Sequence, residues 1–203
     1  MGFEEMKDRS SNYLPSSQAC EAEIPFEGLV IGNRIPKDYF ITSGVGESDI
    51  TIHAGSYHLA LKDAGIEMAN IMTYSSILPG IANQVSRPAR IVHGEVMETI
   101  MAVAHGSSGE LVSAGIVYSW LYNRKTGEKY GGLVCEHNGN YSEEELDKRL
   151  HASLNELYIN GFREDYTLGE PNMIKKSFIP HKAYGTALVA ICFTNFLIPL
   201  IQG

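Results

Sequence analysis

Two adjacent serines, Ser75 and Ser76, stand between two short apolar segments, just where a strand is expected to end. In a strained turn, the hydroxyl of the second serine can attack the carbonyl of the first. The chain would then cut itself and convert Ser76 into a pyruvoyl group. Such a group is a built-in electrophile, so the chain would need no bound organic cofactor.

A Ser-rich turn between two strands is the alternative interpretation of this pair. Ser-Ser also occurs at 10–11, 16–17 and 107–108, in each case among polar residues or glycines. The pair at 75–76 differs from these because apolar residues flank it on both sides. Short motifs have low specificity, so the pair by itself leaves both interpretations open.

Two further polar residues could serve such a site. Glu136 follows the apolar run 131–135, and a carboxylate at the edge of a core can have a raised pKa and donate a proton near neutrality. Asn70 precedes the serines by five and six residues, and its amide could hold a carbonyl oxygen as charge develops. The alternatives are a strand-end Glu exposed to water and an Asn satisfied within a turn.

The composition excludes several classes of function. The net charge of -8 and the pI near 5.3 argue against nucleic-acid binding, which needs clustered Lys and Arg. Three cysteines without a Cys-x-x-Cys motif indicate neither a disulfide framework nor a zinc site. His53 and His58, five residues apart, would lie on different faces of a helix, so no metal site is predicted there. With no signal-peptide pattern at the start, we expect a cytoplasmic protein.

The elements that must position these residues follow from periodicity and turn signals. Residues 1–34 are polar and irregular and predict a flexible extension, and residues 35–203 predict the compact domain. Within it, the sequence predicts strands over 38–43, 68–74, 96–104, 111–122, 130–137, 173–180 and 184–196, and helices over 54–64 and 142–160. The first strand should end at Gly44–Gly46, and Gly65 should end the first helix.

The second helix is the clearest of these elements. Ser142 and Glu145 form a capping-box pattern at its start, and leucines repeat at helical spacing along one face. The order of strands and helices predicts an α+β fold, in which helices cover a mostly antiparallel or mixed sheet.

The C-terminal run 188–201 is strongly apolar and could suggest a membrane segment. It is shorter than the roughly 20 apolar residues that a spanning helix needs, and it contains Asn195 and Pro199. Its β-branched and aromatic residues favour a buried strand, so no membrane association is predicted.

Taken together, these residues resemble the pyruvoyl-dependent arginine decarboxylases. The resemblance extends from about Pro36 to Phe196. It rests on four segments, at 63–66, at 70 with 73–79, at 131–136 and at 184–188. No single segment is specific, but their order and spacing together favour the functional interpretations of Ser76, Glu136 and Asn70.

The resemblance implies a four-layer αββα sandwich. It also implies a homotrimer of self-cleaved protomers with active sites between neighbouring subunits. Cleavage would fall between Ser75 and Ser76 and would give a β chain of residues 1–75. The α chain of residues 76–203 would begin with the pyruvoyl group. That group would be the cofactor, and neither pyridoxal phosphate nor a metal is implied.

The same resemblance assigns roles to individual residues. The substrate amine would form a Schiff base with the pyruvoyl group, and arginine would lose carbon dioxide to give agmatine. Glu136 matches the family's proton donor, and Asn70 matches the family's Asn beside the pyruvoyl. Ile77, next to the cleavage site, and His58 fall at substrate-binding positions.

His58 departs from the family pattern. When positions are counted back from Ser76 without a gap, His58 falls at the position of a family Asp that binds the guanidinium of arginine. A neutral imidazole does not replace a carboxylate there, and an imidazolium would repel the substrate. One alternative is therefore a decarboxylase of another amino acid. A separate alternative, from a different class, is an unprocessed homologue that acts as a binding or structural protein.

Overall fold

Residues 33–199 are described by the computed structural model of the chain, and they form two five-stranded sheets stacked face to face. The strands are β1 (Ile35–Pro36), β2 (Asp38–Ser48), β3 (Asn70–Thr73), β4 (Ile77–Pro79), β5 (Asn83–Gln84), β6 (Val96–Ser107), β7 (Val112–Asn123), β8 (Lys129–Gly139), β9 (Tyr166–Leu168), β10 (Asn172–Phe178), β11 (Tyr184–Phe193) and β12 (Phe196–Leu197). The helices are α1 (His58–Ala64), which follows a π-helical turn over Ile52–Tyr57, and α2 (Glu143–Gly161).

The strand order differs between the two sheets. Sheet I has the order β3-β6-β11-β2-β5, and sheet II has the order β10-β7-β8-β4 with β9 also paired to β7. The pairs β3–β6 and β2–β5 are parallel, and the other pairs within the two sheets are antiparallel. The predicted mostly antiparallel, mixed pairing is therefore confirmed.

Three apolar layers hold these elements together. Side chains of both sheets meet in the central layer, which includes Ile100, Val134 and Ile191. A second layer joins α1 to the outer face of sheet I, and a third joins α2 to the outer face of sheet II. The order of layers is thus α1, sheet I, sheet II, α2, which confirms the expected αββα sandwich.

Strand β2 continues past the glycines at which it was predicted to end. It runs to Ser48 because Gly44 and Gly46 lie directly under α1 and the turn before it. A Cβ on Gly44 would overlap the backbone of Ala60, and one on Gly46 would overlap the backbone of Ser56. These glycines therefore permit close packing of a helix on a strand and do not form a turn.

The helix boundaries agree with the predictions at one end of each helix. Gly65, with φ of 70°, ends α1 as predicted, whereas the predicted start at 54 falls inside the π-helical turn. At α2, the Ser142 hydroxyl accepts a hydrogen bond from the Glu145 backbone N–H at 3.2 Å, which confirms the N-cap. Gly161 was predicted to follow the last residue of α2, but it is itself the last residue of that helix.

The apolar C-terminal run supplies a central strand, as predicted. β11 lies between β6 and β2 in sheet I and is buried along nearly its whole length. Within residues 33–199, no helix is both long and apolar enough to cross a membrane. The predicted extension 1–34 lies outside the described residues apart from Asn33 and Arg34.

Candidate active site at the serine pair

The serine pair lies in the link between the two sheets. The chain leaves β3, an edge strand of sheet I, after Thr73 and enters β4, an edge strand of sheet II, at Ile77. Ser75 is exposed and Ser76 is half-buried. A short link between two sheets, rather than a hairpin turn, therefore contains the peptide bond that joins the serines.

Backbone hydrogen bonds fix this link at both ends. The Tyr74 N–H donates to the Thr99 carbonyl of sheet I at 2.7 Å, and the Val134 N–H of sheet II donates to the Ser76 carbonyl at 3.0 Å. Between them, the Ile77 N–H donates to the Ser75 carbonyl at 2.9 Å. That last bond closes a three-residue turn around Ser76, and it places a donor on the carbonyl oxygen that an attack by Ser76 would make negative.

Glu136 is the side chain that meets Ser76 across sheet II. Val134 and Glu136 are two residues apart on β8, so both point toward the layer between the sheets. The Ser76 Oγ donates a hydrogen bond to Glu136 Oε2 at 3.3 Å. The structure thus brings together two of the predicted residues, sixty positions apart in the chain.

The environment of Glu136 agrees with an acid that holds its proton. Burial raises the pKa of its carboxyl above the ordinary value, and the hydrogen bond from Ser76 opposes part of that rise. The sequence placed Glu136 at the end of its strand, but β8 continues to Gly139. Because Glu136 lies inside the strand, opposite Ile116 of β7, it is half-buried instead of open to water.

Asn70 lies at the other end of β3 from the serine pair. Its side-chain amide donates to the Gly94 carbonyl at 3.0 Å, and its backbone N–H donates to the Glu95 carbonyl at 2.8 Å. Since a strand rises about 3.3 Å per residue, β3 separates Asn70 from Ser75 by well over the length of a hydrogen bond. The role of Asn70 beside the pyruvoyl stays a prediction.

His58 and Ile77 lie on other faces of the protomer. His58 is the exposed first residue of α1, which covers the outer face of sheet I. Ile77 pairs with Leu133, whose side chain packs toward α2, so Ile77 points to the outer side of sheet II. There it lines a cavity of about 290 Å³ together with Tyr130 and Phe162. The substrate-binding roles of His58 and Ile77 stay predictions.

A second acid beside the serine pair was missed by sequence reasoning. Glu98 lies in the predicted strand 96–104, where no role was assigned to it from the sequence, and it is only 3% exposed. Its carboxylate accepts hydrogen bonds from the Tyr74 hydroxyl and from the Arg34 guanidinium. The sequence does contain a signal for Glu98, which lies between two apolar pairs, at 96–97 and 100–101. A Glu in such surroundings is rarely buried unless a partner is bound to it, so a buried and paired acid could have been predicted.

The described part of the chain contains no group of three or more His, Cys, Asp or Glu side chains that could bind a metal ion. The polar atoms that converge on the link are instead those of a carboxyl, a hydroxyl and backbone amides. They suit acyl transfer between the two serines followed by proton transfer at Glu136.

Comparison with known proteins is consistent with this chemistry. A model of the family described as pyruvoyl-dependent arginine decarboxylase matches residues 38–197. The pyruvoyl-dependent arginine decarboxylase AaxB of Chlamydia abortus is 29% identical over 194 residues, which cover 81% of this chain and 94% of that protein. The pyruvoyl-dependent arginine decarboxylase of Picrophilus torridus is 31% identical over 154 residues, 67% of this chain and 80% of that protein.

Proposed function

Because the chain belongs to the pyruvoyl-dependent arginine decarboxylase family, we propose that it cuts itself between Ser75 and Ser76 and decarboxylates an amino acid, with arginine as the expected substrate and agmatine as the product. The observation that carries this proposal is the meeting of Ser76 Oγ with Glu136 at 3.3 Å, in a link that is held by both sheets. A structural turn would not need an acid with a raised pKa at that place.

Self-cleavage proceeds through groups that the chain itself supplies. The Ser76 Oγ bonds to the Ser75 carbonyl carbon, the Ser75–Ser76 C–N bond breaks, and the hydroxyl proton ends on the freed Ser76 nitrogen. Loss of the Ser76 Cα proton with cleavage of the Cβ–Oγ bond then releases the Ser75 carboxylate and leaves dehydroalanine at 76. Water converts that residue to a pyruvoyl group and ammonia, with no net oxidation or reduction.

The residues around Ser76 fit such a group. A pyruvoyl group supplies a keto carbon that binds the substrate amine and withdraws electrons as carbon dioxide leaves. Glu136 faces that position with an acid whose pKa is raised by burial, so it can hold the proton that the substrate carbon needs. The Val134 N–H, which bonds to the Ser76 carbonyl at 3.0 Å in the uncut chain, would hold that carbonyl in place.

Arginine specificity depends on residues outside this cluster. By the gapless count from Ser76, His58 takes the position of the family's guanidinium-binding Asp, and it lies on α1 away from Glu136 in the same protomer. We propose that a homotrimer brings α1 of one subunit to the serine link of the next. Asn70 and Ile77 are proposed to complete the same site. The competing proposal within the class is a decarboxylase of another amino acid.

The first test is a denaturing gel with intact-mass analysis of the purified full chain. Two fragments split after Ser75 are expected, and the larger should be lighter by one ammonia than the product of simple hydrolysis. That mass difference separates self-processing from proteolysis. One uncut chain would overturn the proposal and favour an unprocessed structural homologue. Ser76→Ala should stay whole and release no carbon dioxide.

Substrate and assembly need separate measurements. Carbon dioxide release should be measured with arginine, ornithine, lysine and apolar amino acids, and a preference for arginine is expected. A cut enzyme that prefers another amino acid would overturn the substrate assignment alone. Light scattering of the cut protein should give the mass of three protomers.

A further inference from the structure

We propose that Glu98, acting through Tyr74 and supported by Arg34, positions the Ser75 carbonyl for attack by Ser76. Glu98 and Arg34 would then be positioning residues for self-cleavage. This inference rests on the proposed function, because it concerns the same bond. It adds a second acid to the site, on the opposite sheet from Glu136.

One contact of Glu98 is with Tyr74, the residue just before Ser75. Its carboxylate is buried in β6, where it accepts from the Tyr74 hydroxyl on one oxygen and from the Arg34 guanidinium on the other. Tyr74 also packs against Phe193, with ring centroids 5.6 Å apart. The ring, hydroxyl and backbone N–H of Tyr74 are therefore all fixed to sheet I.

This anchor matters because the strand before it is weakly held. β3 is an edge strand that pairs with β6 over only four residues, Asn70 to Thr73. Beyond Thr73, the link has left the sheet, and Ser75 is exposed. Without the Tyr74–Glu98 contact, the sheet I end of the link would keep the Tyr74 N–H to Thr99 bond and the packing of the ring on Phe193, but no hydrogen bond to the Tyr74 side chain.

The other end of the link is fixed to sheet II by the Val134 and Ile77 amides. The Ser75–Ser76 bond therefore lies between two anchors, one on each sheet. Attack by the Ser76 Oγ forms a bond to the Ser75 carbonyl carbon and breaks the C–N bond, with the proton passing to nitrogen. Such an intramolecular step is sensitive to placement, and a misplacement of about 1 Å can cost roughly 100-fold in rate.

The energetics favour a positioning role over a stabilising one. A buried carboxylate loses hydration, and its ion pair often returns no more stability than apolar residues of the same size. Arg34 is half-exposed, with its guanidinium also over the Phe196 ring at 4.8 Å, so the pair is partly screened. What the arrangement does fix is the direction of the Tyr74 side chain.

The test follows the rate of cleavage in the full chain after cell-free synthesis. Glu98→Gln and Tyr74→Phe should each slow cleavage by roughly 10- to 100-fold, and the double variant should be no slower than the slower single one. Arg34→Lys should keep most of the rate that Arg34→Ala loses. Hydroxylamine, which cuts an ester between 75 and 76, should trap less of the ester in Glu98→Gln than in the parent.

A matched control separates positioning from stability. Tyr118→Phe removes another buried hydroxyl, one bonded to Gln84 at 3.3 Å, and should leave the cleavage rate unchanged. Thermal unfolding of each variant is measured in the Ser76→Ala background, which keeps the chain whole. Glu98 and Tyr74 variants that cut at the parent rate, in a parent that does cut, would overturn this inference alone. An uncut parent would overturn the proposed function and this inference with it.

Discussion

At the scale of single residues, the site combines the Ser76 hydroxyl with two acids on opposite sheets. Glu136 contacts that hydroxyl itself, whereas Glu98 contacts Tyr74, two positions before Ser76. The sequence singled out Glu136 because it follows an apolar run. It did not single out Glu98, because the second sheet, which buries that face of β6, is not visible from local pattern.

Glu136→Gln is expected to cut itself and yet lose turnover by roughly 100- to 10,000-fold, the usual contribution of a general acid. Because burial raises the pKa of Glu136, its acid form persists to higher pH than that of an ordinary Glu. Turnover of the parent should therefore fall as pH rises through that pKa, and Glu136→Gln should lack this descending limb.

The measurement is carbon dioxide release as a function of pH, with the fraction of cut chain determined on the same samples. A Glu136→Gln enzyme with parental turnover would contradict the role of Glu136 as proton donor. An uncut Glu136→Gln chain would instead assign Glu136 to maturation.

At the scale of elements, α1 packs closely on β2 in the apolar layer on the outer face of sheet I. Gly44 and Gly46 permit that contact because a side chain at either position would meet the backbone of α1 or of the turn before it. The sequence predicted the glycines as a strand end, since Gly usually marks turns. Only the packing of the helix over the strand explains why the strand continues.

Gly44→Ala is expected to destabilise the fold by about 1–3 kcal/mol or more, because the new Cβ overlaps the Ala60 carbonyl. Gly161→Ala is the matched control, because its Cβ meets nothing within 4 Å and it ends a helix, where Ala is favoured by about 1 kcal/mol. Both are measured by denaturant unfolding in the Ser76→Ala background. Equal stabilities for the two variants would contradict the packing argument.

At the scale of the whole molecule, the cut would divide sheet I between two chains. The chain 1–75 would contribute β1, β2, β3 and α1, and the chain 76–203 would contribute the remaining elements. β2 lies between β11 and β5, and it pairs with β11 along Tyr39 to Ser48. The smaller chain would therefore be held inside the sheet by β2, although its β3 lies at the edge.

The two fragments are expected to migrate as one particle in native size-exclusion chromatography and to separate only under denaturing conditions. The reason is that release of the smaller chain would expose both the central sheet layer and the layer under α1. Elution of the small fragment by itself from the native column would contradict this strand arrangement.

The local features of this protein can be predicted from its sequence alone. The Ser142 cap, the Gly65 stop, the buried C-terminal strand and the family resemblance follow from residue types at short spacing, where neighbours in the chain are neighbours in space. The tertiary structure decided which distant residues meet. Ser76 reaches Glu136, and Tyr74 reaches Glu98, because the chain crosses from one sheet to the other at the serine pair, and no local periodicity encodes a crossing between sheets.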